Sequence, residues 1–156
     1  MALATTMQQY LADQKIDYEV ITHRPTISSS MTAEASHIPG DCVAKGVIVK
    51  DEDRFTMAVL PASHHVKLGD LSSVLGRTVH LATEDEASEL FPDCSTGAIP
   101  ALGAAYGVDM VVDDSLAEQP EVYFEGGDHT SLVQVSAERF FWLMQNAAHG
   151  HFSTHD

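Results

Sequence analysis

A chain of 156 residues, 44% hydrophobic and 20% charged, has the length for one hydrophobic core and a composition that excludes extensive disorder. Its formal charge of -15, from 8 Lys+Arg against 23 Asp+Glu, excludes a long grip on a nucleic-acid backbone, because that affinity comes from cation–phosphate contacts. Apolar runs such as Val47-Ile48-Val49 fall far short of the ~20 residues that span a bilayer, and Met1-Ala2-Leu3-Ala4-Thr5-Thr6 lacks the basic and apolar segments of a secretory signal. The expected compartment is the cytoplasm, with neither membrane nor DNA as partner.

Leu3, Met7, Tyr10 and Leu11 recur at helical spacing and predict an amphipathic helix from Leu3 to Gln14. Tyr18 to Thr22 alternates and is β-rich, and His23-Arg24-Pro25 ends that strand because proline cannot continue a ladder. The hydroxyls around Ser30 offer N-caps for a short helix through Ala35 or His37, stopped by the turn Ile38-Pro39-Gly40-Asp41. Cys42 to Lys50 and Arg54 to Leu60 are apolar, β-branched stretches separated by Asp51-Glu52-Asp53, and they predict an antiparallel hairpin at the centre of a sheet.

Leu68, Leu71, Val74 and Leu75 predict a helix ending at Gly76. A short strand over Thr78 to Ala82 follows, then a helix over Glu84 to Leu90 capped by Thr83 and stopped near Pro92. Ser95 to Gly107 holds Gly97, Pro100, Gly103 and Gly107, which periodic elements do not tolerate, so it reads as a structured loop. Met110 to Val112, Glu121 to Phe124 and Ser131 to Val135 read as strands, with Gly126-Gly127-Asp128 turning the last two. Ser136 caps a final helix over Ala137 to Gln145, and residues 147–156, a histidine-rich tail, are expected to fray. The irregular interleaving of helices and strands predicts a single α+β domain over residues 1–146.

Lys45 is the first candidate for chemistry, because it lies inside an apolar strand and shares a face with Val43, Val47 and Val49. Either it reaches a cleft, or its stem packs and its ammonium is solvated at an edge; parity by itself favours the edge. Gly46 beside it weakens the strand and marks a place where a ligand could approach. The loop Gly97-Ala98-Ile99-Pro100-Ala101-Leu102-Gly103 could offer backbone N–H groups to a carbonyl or oxyanion, although an ordinary surface turn has the same pattern.

His129 follows a Gly-Gly-Asp turn that could aim its ring into a site, while a lone histidine is more often a hydrogen-bonded surface residue. Cys42 and Cys94 stand far apart and read as reduced thiols. The nine histidines suggest metal, yet His64 and His65 would point apart on a strand and the tail histidines have no predicted support, so no metal site is expected. No Gly-x-Ser-x-Gly, His-Glu-x-x-His or phosphate-binding glycine motif occurs.

Taken in order, these segments resemble the YbaK/prolyl-tRNA-synthetase-associated editing family, from about Leu3 to Met144. The resemblance rests on His23-Arg24-Pro25-Thr26, Thr32-Ala33-Glu34-Ala35, Val43-Ala44-Lys45-Gly46-Val47-Ile48 and Ala58-Val59-Leu60-Pro61-Ala62. It continues through Gly97 to Gly103, then Val111-Val112-Asp113-Asp114 and Gly126-Gly127-Asp128-His129. It implies an α+β fold with a mixed, largely antiparallel sheet flanked by helices. It also implies a trans-acting aminoacyl-tRNA deacylase that uses no cofactor, no metal and no covalent enzyme intermediate.

In that likeness Lys45 is the catalytic residue. Gly46, Gly97, Ala98, Ile99, Pro100, Ala101, Gly103 and His129 bind the substrate, a mischarged ester such as Cys- or Ala-tRNAPro. The implied partners are the acceptor end of aminoacyl-tRNA and, as a candidate source of substrate, an aminoacyl-tRNA synthetase. Ala101 stands where many relatives carry an aromatic residue, and Gly46 where some alanine-specific relatives carry Asn. The acidic charge favours a different class of function, a non-catalytic module binding a small amino-acid-like ligand or a protein; a hydrolase of another small acyl ester is a third reading. If tRNA is the substrate, Lys45, Lys50, Arg54 and Lys67 predict a small basic patch near the pocket mouth.

Overall fold

The computed structural model describes residues 3–26, 29–52 and 54–156. Along the chain run α1 (Thr5–Asp13), β1 (Glu19–Thr22), α2 (Ser29–Ser36), β2 (Val43–Asp51), β3 (Arg54–Pro61), β4 (His64–Val66) and α3 (Leu68–Leu75). They are followed by β5 (His80–Leu81), α4 (Glu84–Leu90), β6 (Asp109–Asp113), β7 (Glu121–Glu125), β8 (Ser131–Ser136), α5 (Ala137–Leu143), β9 (Ala148–Gly150) and β10 (Ser153–His155).

The sheet order is β1-β8-β7-β2-β3-β6-β9, with β5 also on β2. The hairpin expected from the Asp-Glu-Asp connection is therefore its centre, with Lys45 opposite Leu60 and Val49 opposite Thr56. β1/β8, β8/β7, β2/β3 and β2/β5 are antiparallel, while β2/β7, β3/β6 and β6/β9 are parallel, which makes the sheet mixed. The parallel pairs arise because β6 and β7 arrive by long connections rather than tight turns.

Side chains of β2 alternate between two unlike faces. On one, Ala44 and Ile48 join Met57, Val59, Val112, Phe124 and Val133 in a large core closed by Met7 and Leu11 of α1 and Phe140 and Leu143 of α5. On the other, Val49, Ala58, Leu60 and Val111 pack with Leu71 of α3 and Phe152. Val43 and Leu132 pack in a separate small cluster with Ala33 of α2 and Ala62. Local signals set the flanking helices. Thr83 and Glu86 close a reciprocal capping box on α4, and Gly76 takes the left-handed conformation that ends α3.

Two departures from expectation matter for the site. β4 lies where no strand was expected, and the tail expected to fray is paired instead, β9 with β6 and β10 with β4. The cause is one apolar residue among the histidines. Phe152 is buried in the core beside α3, and its N–H donates to the Asp113 carboxylate at 2.9 Å. Gly150 also fits closely, since a Cβ there would stand 2.7 Å from Val74. Among the described residues no helix is long and apolar enough to cross a membrane.

Candidate active site

Lys45 rises from the sheet at the seam between the two smaller clusters, with Val43 in one and Val47 and Val49 in the other. Its half-buried ammonium donates to the His64 carbonyl at 2.5 Å, at the start of β4, and to the Ala62 carbonyl at 3.4 Å, in the turn between β3 and β4. Burial pushes its pKa below the ordinary lysine value, and the Asp156 charge opposes that shift. A lysine has three N–H donors, so among the described residues one remains for a further acceptor.

On the β2 edge away from β3, β7 pairs only at Val43 and Ala44, and β5 only at Val49 and Lys50. Between them the Ile48 carbonyl accepts from Ala82, and among the described residues no strand partners Lys45 to Val47. The β2/β7 pairing stops at Ala44 with Phe124; carried one step further, its register would set Lys45 next to Glu125, with both on the same face by parity.

A buried polar network surrounds Glu125. The His23 N–H donates to the Thr130 carbonyl at 2.8 Å and the Thr26 N–H to the His129 carbonyl at 3.2 Å. The Thr26 and Thr32 hydroxyls are 2.5 Å apart. Asp128 accepts from the Thr130 and Ser131 N–H groups and from the Ser131 hydroxyl, at 2.9–3.0 Å. Burial opposes ionisation of Asp128, but those hydrogen bonds outweigh it and hold the carboxyl below its ordinary range.

Glu125 is the opposite case. Only 1% exposed, it makes no hydrogen bond of full geometry at either oxygen among the described residues, although the Thr32 hydroxyl lies near enough to favour its ionised form. Burial pushes its pKa up to about 7, with Thr32 opposing the shift and the Asp128 charge adding to it.

The model of the aminoacyl-tRNA editing domain family matches residues 23–141. The chain belongs to that family. Among solved structures, the editing domain is similar to hypothetical protein APE2540, at 20% identity and a TM-score of 0.84, over 96% of this chain and 99% of that one. It is similar to a candidate trans-editing enzyme for prolyl-tRNA synthetase at 20% identity and a TM-score of 0.83, over 97% and 96%. A candidate signal-transduction protein from Marinobacter aquaeolei VT8 matches at 23% identity and a TM-score of 0.76, over 97% of this chain but 31% of its own. At these identities the likeness is one of fold. No curated protein matches.

Within the editing domain the expected site residues divide. His129 stands in the polar network in a left-handed conformation, φ 62°, with its Nδ1 buried and unpartnered among the described residues. The glycine loop begins against the turn after β7, where the Ser95 N–H donates to the Gly127 carbonyl at 2.8 Å. Just beyond stand exposed Gly97, with φ 85°, buried Ala98 and half-buried Ile99. Pro100 is buried, and Ala101 belongs to the large core with Ala44, on the opposite side of β2 from the Lys45 side chain.

Two glycines have packing reasons. A Cβ at Gly46 would stand 2.7 Å from the tip of Met57, and one at Gly103 would stand 3.0 Å from the Val108 carbonyl oxygen. Sequence reasoning missed Glu125. An acid at the end of Val122-Tyr123-Phe124 reads as a solvated strand terminus, and only the pairing of β7 with β2 reveals that it is interior.

The basic patch expected at the pocket mouth is largely neutralised. Lys50 pairs with Glu86 at 2.6 Å and Arg54 with Asp109 at 3.6 Å. A cleft of about 400 Å³, lined by Tyr18, Glu121, Gln134 and Arg139 among others, contains none of the network residues. Concavity alone does not mark the chemistry.

Proposed function

We propose that this editing domain hydrolyses the ester of mischarged aminoacyl-tRNA in trans, on Cys- or Ala-tRNAPro-like substrates, without metal or cofactor. The observation that carries the reading is the family match over residues 23–141, a segment that contains a half-buried lysine with one N–H to spare. Water, or a group on the substrate itself with water completing the hydrolysis, attacks the ester carbonyl; the C–O bond to the terminal ribose breaks, and the proton lost by the attacking group passes to the ribose oxygen. Lys45 holds the negative charge that develops on the carbonyl oxygen, a contribution on the order of 3 kcal/mol to the barrier.

The backbone N–H of Gly97, next to the turn after β7, is the part of the loop suited to orient the ester carbonyl, since that of Ala98 already donates to the Ser95 carbonyl. His129 is suited to contact the terminal nucleotide from its turn. A short acceptor end asks for few phosphate contacts, so a protein with few cations, several of them paired with carboxylates, can still act on it. A synthetase that has released a wrong product is a fitting source of substrate, in keeping with the likeness to the candidate trans-editing enzyme for prolyl-tRNA synthetase.

The test is a panel of mischarged tRNAs incubated with wild type and Lys45→Ala, with and without EDTA. The expected result is hydrolysis of one or a few esters, unaffected by EDTA and lost in the variant. Full activity of Lys45→Ala would sink the site assignment, zinc-restorable loss with EDTA the metal-free mechanism, and a silent panel the deacylase itself.

A further inference from the structure

A buried carboxylate with no hydrogen-bond partner costs several kcal/mol and calls for a reason. Glu125 is such a group, and it is not alone. His23, 8% exposed, has its Nδ1 2.6 Å from the Arg24 carbonyl, an atom that only accepts. Nδ1 therefore carries a proton, and in the neutral ring Nε2 presents a lone pair; that atom too is buried and unpartnered among the described residues. His23 and Glu125 belong to one network, linked through Thr130, His129, Thr26 and Thr32. Beside His129 Nδ1, whose donor or acceptor role no contact fixes, the network thus holds three acceptor sites, two carboxylate oxygens and one imidazole nitrogen, that lack donors among the described residues.

The nearest cation along the sheet does not fill them. Lys45 is beside Glu125 in the extended register, yet its ammonium is turned to the carbonyls of His64 and Ala62. Resting on the deacylase reading, we propose that Glu125, with His23 Nε2, anchors the free α-ammonium of the aminoacyl group, so that the domain takes esters of amino acids with an unblocked amine and rejects N-acylated ones. A primary ammonium has three N–H donors and a positive charge, which matches the three acceptors and the carboxylate.

Adjacent strands lie about 4.8 Å apart. One aminoacyl group can therefore place its amine at β7 and its ester carbonyl at β2, with Glu125 and Lys45 serving opposite ends of the same small molecule. The Glu125 carboxyl, pushed up to about 7 by burial, is then a binding group whose ionised form the ligand itself stabilises.

The experiment is an NMR titration of wild type and Glu125→Gln with alaninamide and with propionamide, which lacks only the amine. Neither has a scissile ester, so the result does not depend on hydrolysis. Wild type is expected to bind alaninamide about ten- to a hundred-fold more tightly than propionamide, with affinity rising from about pH 6 to about pH 7.5 as Glu125 ionises and falling above that as the amine loses its proton. Glu125→Gln is expected to remove the preference. Equal or absent binding of the two amides by wild type, or a preference that survives in Glu125→Gln, would overturn the proposal. A silent tRNA panel beside a normal alaninamide preference would sink the deacylase and leave the ammonium site standing. An active panel with equal amide affinities would do the reverse.

Discussion

The two faces of β2 use the same backbone for opposite ends. On one, Ala44 and Ile48 merge with helices α1 and α5 into a single continuous core; on the other, the apolar surface is broken into two clusters, with Lys45 at the break. A closed apolar face gives stability but no chemistry. A seam between clusters gives a place where a charged side chain can be half-buried without cutting through a core, and its desolvation strengthens whatever it contacts. The proposed site sits where packing was left incomplete.

That contrast is most sharply tested by Lys45→Ala against Leu102→Ala. The first should lower kcat/KM on the best mischarged tRNA by about 100-fold or more, corresponding to roughly 3 kcal/mol, with a thermal midpoint close to wild type. The second, a deletion in the closed core, should cost about 2–5 kcal/mol of stability and leave the kinetics of the folded fraction unchanged. Should Lys45→Ala prove the less stable of the two, the seam is part of the core and the comparison fails.

The seam also predicts an unusual pH dependence. The Glu125 carboxyl is raised by burial from its ordinary 4.5 to about 7. Below 4.5 the folded and unfolded chains both hold the proton. Between 4.5 and 7 only the folded chain does, so this group's contribution to stability falls as pH rises, by about 1.4 kcal/mol per unit. Glu125→Gln should match wild type near pH 4 and exceed it by a few kcal/mol near pH 8 in denaturant melts. A difference that stays flat with pH would mean the carboxylate is stabilised by a partner.

Much of the closed face was legible in the sequence, because alternation and helical spacing report which residues avoid water. Lys45 was placed on the right face by parity alone, and α3 and α4 were bounded by Gly76 and Thr83. Glu125 was not legible, since its burial depends on β7 returning beside β2, a pairing with no local signal. β10 was hidden for the same reason, its anchor being one phenylalanine among polar residues. Gly46 and Gly103 suggested ligand approach, whereas Met57 and Val108 supply packing reasons for them.

Two smaller effects refine the picture. Thr83→Ala removes one half of the capping box on α4 and should cost about 1 kcal/mol without altering kcat/KM, since α4 covers the closed face. Binding of mischarged tRNA should weaken only slightly with salt, with a log–log slope near about -1 to -3, because Lys50, Arg54, Arg77 and Arg139 already face carboxylates. A steep slope for whole tRNA that is absent from a short acceptor-stem mimic would reveal contacts with the tRNA body.

The register that brings Glu125 beside Lys45 also sets an order of assembly. The β2/β3 hairpin closes across the short connection after Asp51 and can form early, carrying Lys45 with it. The β2/β7 ladder joins Ala44 to Phe124, far apart in the chain, and contacts of such separation form late because loop closure must come first. A half-folded chain would therefore hold the lysine without the carboxylate, and hydrolytic competence should appear in one late kinetic phase, together with native stability.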